Sequence, residues 1–154
     1  GYFIGPIDEN TPCNPRNPYG IAKNFLRQAM FDFASVTPEL NLQWLRFYYI
    51  TGDDRFSNSI FTKILKAEDE GQEFFPLNSG EMLYDFIDIE ELSAQIEERI
   101  SSKQSGIFNC CSGKPKSLRT AVEEFIAVHN LKIKPKYNVF PARPYDSMAV
   151  WGKK

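Results

Sequence analysis

Tyr19 and Lys23 stand one helical turn apart, after a segment rich in proline and asparagine, and together the two side chains could transfer a proton. Asn17 is a favourable N-cap and Pro18 a favourable first helical residue, so the sequence predicts a helix that starts at Tyr19. A spacing of four residues places Tyr19 and Lys23 on one face of that helix. A free phenol has a pKa of roughly 10, but a nearby ammonium group and the positive end of a helix both favour the phenolate. The pair could therefore act as an acid and base on a hydroxyl or a ketone.

The segments around this pair give it more weight than the bare spacing, which also arises by chance on ordinary helices. After the Tyr-Gly-x-x-Lys motif come Leu-Arg-Phe-Tyr-Tyr-Ile-Thr-Gly (45–52), Tyr-Asp-Phe-Ile-Asp-Ile-Glu-Glu (84–91) and Ile-Phe-Asn-Cys-Cys-Ser-Gly-Lys-Pro (107–115). In this order the segments resemble the extended short-chain dehydrogenase/reductase family of nucleotide-sugar epimerases and dehydratases. The resemblance covers nearly the whole chain.

The resemblance implies an α/β fold: the back half of a Rossmann-like, doubly wound parallel sheet plus a small α+β substrate-binding lobe. Residues 1–52 would form the end of the dinucleotide-binding domain, with the catalytic helix and the strand after it. Residues 53–154 would mainly form the substrate-binding lobe, with some elements returning to the Rossmann sheet. None of the nine glycines makes the glycine-rich turn that holds a dinucleotide phosphate. We therefore expect the chain to be the C-terminal portion of a larger enzyme, inactive alone, with exposed apolar surface that favours self-association.

Periodicity and turn residues predict the individual elements. The predicted helices run from Tyr19 to about Ser35, buried on two sides; from a cap at Ser57 to Gly71; over 88–101; and from a cap at Ser117. The predicted strands are 42–50, covered on both faces; 73–77 and 83–87, paired in a hairpin across 78–80; 107–111; and 134–140.

The resemblance also implies the chemistry. Tyr19 would exchange a proton with a sugar hydroxyl while hydride moves between the same carbon and NAD or NADP, and Lys23 would lower the tyrosine pKa and bind the nicotinamide ribose. The substrate would be a nucleotide-diphosphate sugar. Epimerase, dehydratase and reductase outcomes all stay open, with a preference for the 4-keto-sugar reductase and dideoxysugar synthase branch. The alternative is a non-catalytic module for nucleotide-sugar binding or dimerisation.

Three residues are candidates for substrate binding. Arg143 is flanked by prolines and could form a fork to a phosphate, as an arginine in a similar setting does in the family, or it could pair with Asp146 on the surface. Tyr49 replaces an asparagine that often contacts the sugar in the family, and Tyr84 replaces an arginine that touches phosphate. Arg46, alone within a strand, is expected to pair with a buried carboxylate.

Composition argues against several other classes of protein. The net charge is −2 and the basic residues are scattered, which argues against a nucleic-acid partner, and no apolar run reaches the roughly 20 residues of a membrane span. We expect no metal site, because the single His129 has no ligand cluster beside it. Three cysteines, Cys13, Cys110 and Cys111, suggest no disulfide framework and favour the cytoplasm. The resemblance implies a homodimer formed through the Tyr19 helix.

Overall fold

The computed structural model describes residues 3–52, 57–141 and 147–154, and it has the predicted α/β architecture with mainly parallel strands. The helices are α1 (Pro18–Ser35), α2 (Ile60–Asp69), α3 (Ile89–Ser102) and α4 (Leu118–Val128). The strands are β1 (Gly5–Ile7), β2 (Gln43–Phe47), β3 (Tyr49–Thr51), β4 (Phe74–Pro76), β5 (Leu83–Asp88), β6 (Gly106–Cys110), β7 (Pro115–Ser117), β8 (Lys134–Lys136) and β9 (Ala149–Gly152).

Each helix begins at a side chain that accepts a hydrogen bond from a backbone amide of its first turn. These N-caps are Asn17, Ser59, Asp88 and Ser117. Such a cap satisfies one of the amides that have no partner within the helix, which fixes where the helix starts. The caps of α1 and α4 confirm the sequence prediction. The α2 cap corrects it, because Ser59 caps the helix while the Ser57 hydroxyl lies 2.7 Å from the Thr62 hydroxyl.

Strand β5 is the centre of the largest sheet, whose order is β1-β9-β5-β3. Its first half pairs in parallel with β9 and antiparallel with β7, and its second half pairs in parallel with β3. Two smaller parallel pairs lie outside this sheet, β2 with β6 and β4 with β8. The larger hydrophobic core lies between α2, α4 and β5, with Ile64 and Val122 fully buried.

Two strand predictions were wrong because neighbouring segments pair with distant ones. The predicted strand 42–50 is interrupted at Tyr48: β2 before it pairs with β6, whereas β3 after it pairs with β5. The predicted hairpin does not form, because β4 pairs with β8 and β5 with β9. The intervening turn is nevertheless ordered locally, since Asn78 Oδ1 accepts a hydrogen bond of 2.9 Å from Gly80 N.

Helix α1 also differs from its prediction of burial on two sides. None of its residues is buried, and the Phe25 side chain is 71% exposed. Other apolar side chains of the helix are exposed as well, among them Ile21, Leu26, Met30 and Phe33. Most apolar side chains of this helix are therefore exposed, whereas Phe31 and Ala34 are half-buried. The last predicted strand is also shorter than expected, because only residues 134–136 of 134–140 pair.

Candidate active site

The start of α1 presents Tyr19 and Lys23 to solvent. Asn17 Oδ1 accepts a 2.7 Å hydrogen bond from Gly20 N, and this bond fixes the first turn that carries Tyr19. The Tyr19 side chain is 75% exposed. Its phenol oxygen makes no hydrogen bond to any part of the chain that the structure describes. The group is therefore available to a molecule from outside this chain.

Lys23 lies one turn further along, at the edge of a cleft of about 630 Å³ that we call the cationic cleft. Its ammonium nitrogen lies 5.9 Å from the centroid of the Trp44 ring. Of the residues described, no aspartate or glutamate lines this cleft, whereas four basic residues do: Arg16, Lys23, Arg27 and Arg46. The cleft therefore favours an anionic ligand. Tyr19 does not itself line it, although Gly20 does.

A second cavity, of about 490 Å³, lies between β3, β5 and the start of α2, and we call it the aromatic cavity. Tyr49 and Tyr84 line it with their ring centroids 4.5 Å apart. Tyr84 is only 8% exposed and donates a hydrogen bond of 3.2 Å to Met82 Sδ, while Tyr49 is 49% exposed. Lys63 is a basic residue of the lining, one turn after the α2 cap Ser59.

The structure thus brings together some of the predicted site residues and separates others. Tyr49 and Tyr84 share the aromatic cavity, and Lys23 lines the cationic cleft, and the two linings have no residue in common. The predicted phosphate ligand Arg143 lies outside the described residues. Tyr48, which the sequence did not single out, lines the cationic cleft directly before Tyr49. Alternation along an extended segment, which sends neighbouring side chains to opposite sides, is the signal that could have identified it.

Arg46 has a different role from the predicted one. Its Nη1 donates to the backbone carbonyl of Asp8 at 2.9 Å, and its Nη2 donates to Cys13 Sγ at 3.4 Å. The predicted buried carboxylate is therefore replaced by a carbonyl and a thiol of the loop before α1.

Two polar side chains of β5 and β6 hydrogen-bond to backbone groups of distant segments. Asp85 is fully buried, and its carboxylate accepts hydrogen bonds from backbone amides of Ser112, Gly113 and Gly152. Asn109 donates through Nδ2 to the carbonyls of Ile7 and Lys153. A buried polar group costs stability unless it is bonded, so a polar residue inside an apolar strand indicates such a network. Sequence reasoning missed Asp85 and Asn109 in this role.

Burial favours the neutral form of the Tyr48 phenol and of the Cys111 thiol. Burial raises the pKa of the Tyr48 phenol well above its usual value, and its hydroxyl lies 3.4 Å from Asn109 Oδ1. Burial also raises the pKa of the Cys111 thiol to about 11, and the nearby Asp85 adds to the effect. Tyr48 and Cys111 are therefore neutral at physiological pH and unsuited to accept a substrate proton. Cys13 is an exposed free thiol, while Cys110 and Cys111 are buried free thiols.

The described residues contain neither a cluster of metal-ligating side chains nor a helix that could span a membrane. Within 3–52, 57–141 and 147–154, no group of three histidine, cysteine, aspartate or glutamate side chains could hold a metal ion. No helix in the same ranges is long and apolar enough to cross a membrane.

Comparison with known proteins relates the chain to one family. The model of the NAD-dependent epimerase/dehydratase family matches residues 2–111. The whole chain is 90% identical to part of dTDP-6-deoxy-L-talose 4-dehydrogenase (NAD(+)) of Aggregatibacter actinomycetemcomitans, and it covers 57% of that relative. The chain thus spans little more than half the length of this relative.

Solved structures have the same fold. The chain superposes on MoeE5 in complex with UDP-glucuronic acid and NAD with a TM-score of 0.82, at 22% identity, over 99% of this chain and 52% of MoeE5. It superposes equally well, with a TM-score of 0.82 at 23% identity, on a UDP-N-acetylglucosamine 4-epimerase from Methanobrevibacter ruminantium M1, over 96% of this chain and 48% of that one. These likenesses confirm the Rossmann-like α/β fold.

Proposed function

This chain belongs to the NAD-dependent epimerase/dehydratase family, and on that premise we propose that it is the C-terminal part of a nucleotide-sugar 4-dehydrogenase. The enzyme would interconvert a hydroxyl and a ketone on the sugar, with Tyr19 as the acid and base. The relative at 90% identity favours a dTDP-linked 6-deoxysugar as substrate and NAD as cofactor. The observation that carries the proposal is the exposed phenol of Tyr19 on a capped helix start, four residues before the exposed Lys23.

The family is NAD-dependent, and the residues at the start of α1 fit the nicotinamide ribose of NAD or NADP. A phenol and an ammonium group are donors that suit ribose hydroxyls, and the basic lining of the cationic cleft suits the charge of a dinucleotide. Lys23 forms no ion pair with a carboxylate of the described chain, so its charge is available to a ligand. When bound, the nicotinamide would supply the hydride acceptor for the sugar carbon.

The proton moves at the Tyr19 phenol oxygen. In the oxidation, the deprotonated oxygen accepts the proton of the sugar 4-hydroxyl; in the reverse direction, the neutral phenol returns a proton to the ketone oxygen. Lys23 carries a positive charge one turn after Tyr19, and both residues lie at the N-terminal end of α1. Asn17 keeps that end in place by capping the first turn.

The aromatic cavity is the proposed site for the nucleotide-diphosphate sugar. Tyr49, Tyr84 and Phe75 offer ring faces to a pyrimidine base or to the apolar face of a sugar. Lys63 and the amides at the start of α2 offer positive charge to a phosphate. We also propose that Arg143 contributes to phosphate binding. The tyrosines at 49 and 84 would give this site a more apolar surface than the amide and the guanidinium they replace.

The edge of β2 and the exposed apolar side of α1 support two further parts of the proposal. The family's dinucleotide-binding half would pack beside β2, which among the described strands pairs with β6 alone. Phe25 and Phe33 remain as apolar area through which a homodimer could form.

Replacement of Tyr19 by Phe in the full-length protein tests the catalytic role, with NADH formation from dTDP-6-deoxy-L-talose as the assay. We expect a loss of about 100-fold or more in kcat, because the ring stays while the proton acceptor disappears. Tyr137→Phe is the matched control, since the Tyr137 hydroxyl donates to Glu123 Oε1 and Tyr137 lines neither cavity. Wild-type activity in Tyr19→Phe would refute the relay, and a full-length protein that binds the sugar nucleotide without turnover would favour the non-catalytic module.

A further inference from the structure

We propose that Arg46 and Asn109 are positioning residues that hold the loop before α1, and through this loop the Tyr19 phenol, at the end of the β2–β6 pair. The inference rests on the proposed function for its catalytic consequence. Arg46 and Asn109 are direct register partners on the parallel strands β2 and β6, so their side chains lie side by side. We call this pair the strand clamp.

The strand clamp binds two consecutive carbonyls at the end of β1. Asn109 Nδ2 donates to the Ile7 carbonyl at 2.8 Å, and Arg46 Nη1 donates to the Asp8 carbonyl at 2.9 Å. Asn109 is 5% exposed, so its hydrogen bonds form where water cannot replace them. The point where the chain leaves β1 is thus fixed to β2 and β6.

The turn beyond Asp8 is closed by three hydrogen bonds. Thr11 N donates to the Asp8 carbonyl, Asp8 N donates to Thr11 Oγ1, and Thr11 Oγ1 donates to Asp8 Oδ1, over 3.2, 3.0 and 2.9 Å. The hydrogen bond from the Thr11 hydroxyl lowers the pKa of the Asp8 carboxyl below its ordinary value. The carbonyl that Arg46 binds is therefore part of a rigid turn.

The guanidinium of Arg46 also reaches the far side of the loop. Its Nη2 donates to Cys13 Sγ, five residues after Asp8, so one side chain spans the turn. Beyond Cys13, Pro15 packs on the first turn of α1: a Cβ built on Gly20 would lie 2.9 Å from Pro15 Cβ and 3.2 Å from Asn17 Oδ1. Hydrogen bonds thus join β2 to Asp8 and Cys13 of the loop, and Pro15, two residues after Cys13, contacts the first turn of α1.

A lysine could not replace this arginine. The planar fork of a guanidinium donates in two directions at once, whereas an ammonium group is a point charge on a flexible stem. Misplacement of a catalytic group by about 1 Å can cost roughly 100-fold in rate. The strand clamp therefore acts on kcat through the position of Tyr19. Arg46 also lines the cationic cleft, but neither clamp residue lines the aromatic cavity proposed for the sugar nucleotide.

The test uses the full-length protein with Arg46→Gln, Arg46→Lys and Cys13→Ala. Arg99→Gln is the control, because Arg99 stacks on Phe108 on the other side of β6 and lines neither cavity. Cys13→Ala removes only the exposed hydrogen bond that Arg46 Nη2 donates to Cys13 Sγ. This variant therefore tests the proposal even if Arg46→Gln does not fold. Hydrogen exchange of residues 8–22 and steady-state kinetics are measured on each variant.

We expect faster exchange of residues 8–22 in Arg46→Gln, a kcat lower by about 10- to 100-fold at saturating NAD, and a KM for the sugar nucleotide within about twofold of wild type. For Arg46→Lys we expect an exchange rate and a kcat between those of wild type and Arg46→Gln. Cys13→Ala should show a smaller loss of kcat and a smaller rise in exchange, and Arg99→Gln should match wild type in both. Unchanged exchange, or faster exchange with an unchanged kcat, would overturn the proposal, as would a change confined to KM. An inactive wild-type protein would refute the proposed function, while the exchange comparison would still decide whether the clamp holds the loop.

Discussion

Tyr48 and Tyr49 are adjacent in the chain and line different cavities, Tyr48 the cationic cleft and Tyr49 the aromatic cavity. They lie where the chain passes from β2, paired with β6, to β3, paired with β5. This two-residue crossing joins the proposed cofactor side of the molecule to the proposed sugar-nucleotide side.

The Tyr49 ring should contribute to substrate binding rather than to chemistry. Tyr49→Ala would remove the ring that packs on Tyr84 and lines the aromatic cavity, and we expect the KM for the sugar nucleotide to rise by about 10-fold. Tyr49→Phe keeps the ring and is the matched variant, with a KM within about twofold of wild type. Equal effects of the two variants on KM would assign the role to the hydroxyl instead.

Removal of the α1 cap should affect both stability and rate. Asn17→Ala deletes the acceptor of the Gly20 amide, and we expect a loss of roughly 1 kcal/mol in the free energy of unfolding together with a lower kcat. Asp88→Ala removes the cap of α3, where the Glu90 amide donates over 2.8 Å, and it should cost similar stability with an unchanged kcat. Denaturant unfolding and kinetics on the same preparations check both values. Equal kcat values for the two variants would contradict a specific role for the α1 start.

The three thiols should differ in their reaction with an alkylating reagent. At pH 8 we expect one label per chain, at the exposed Cys13, because Cys110 and Cys111 are buried and burial raises their pKa. Intact mass and peptide mapping measure the label, and a native chain labelled at all three thiols would contradict the burial.

The same thiol gives a pH dependence with a defined sign. The pKa of Cys111 is 9.0 ordinarily and about 11 in the folded chain, so between these values the folded state holds the proton more tightly than the unfolded state. Its contribution to stability is fully present below pH 9 and is lost as the pH rises toward 11. Cys111→Ala should therefore lose less stability than wild type over this range in urea unfolding. A parallel decline of the two proteins would contradict the shift.

Gly152 is required for space rather than for backbone freedom. A Cβ built at this position would lie 2.6 Å from Cys111 Cβ and 2.9 Å from Tyr48 Cε2, while the backbone is not in the positive-φ region. We expect Gly152→Ala to cost about 1–3 kcal/mol in the free energy of unfolding, as overpacking does. Gly71→Ala tests backbone strain alone, because Gly71 has φ +72° and open space around it. We expect this substitution to lower the free energy of unfolding by about 1 kcal/mol. Urea unfolding compares them, and a Gly152→Ala protein as stable as wild type would contradict the contact.

The sequence by itself predicted the features that depend on residues close together in the chain. The caps Asn17 and Ser117 and the run of α3 after Asp88 follow from side-chain hydrogen bonds and periodicity within a few residues. The spacing of Tyr19 and Lys23 on one face of α1 is of the same kind. The motif order also identified the family.

Tertiary structure alone decided which strands pair and what the polar residues bind. The break at Tyr48 and the separation of β4 from β5 depend on partners that lie tens of residues away, and no local pattern encodes a partner's position. Arg46 reaches a carbonyl and a thiol rather than a carboxylate for the same reason: β1 and the proline-rich loop come to it only when the parallel strands assemble. Sequence therefore determined the chemical groups and their local spacing, whereas long-range strand pairing decided which groups meet, because hydrogen bonds between distant segments form only in the folded chain.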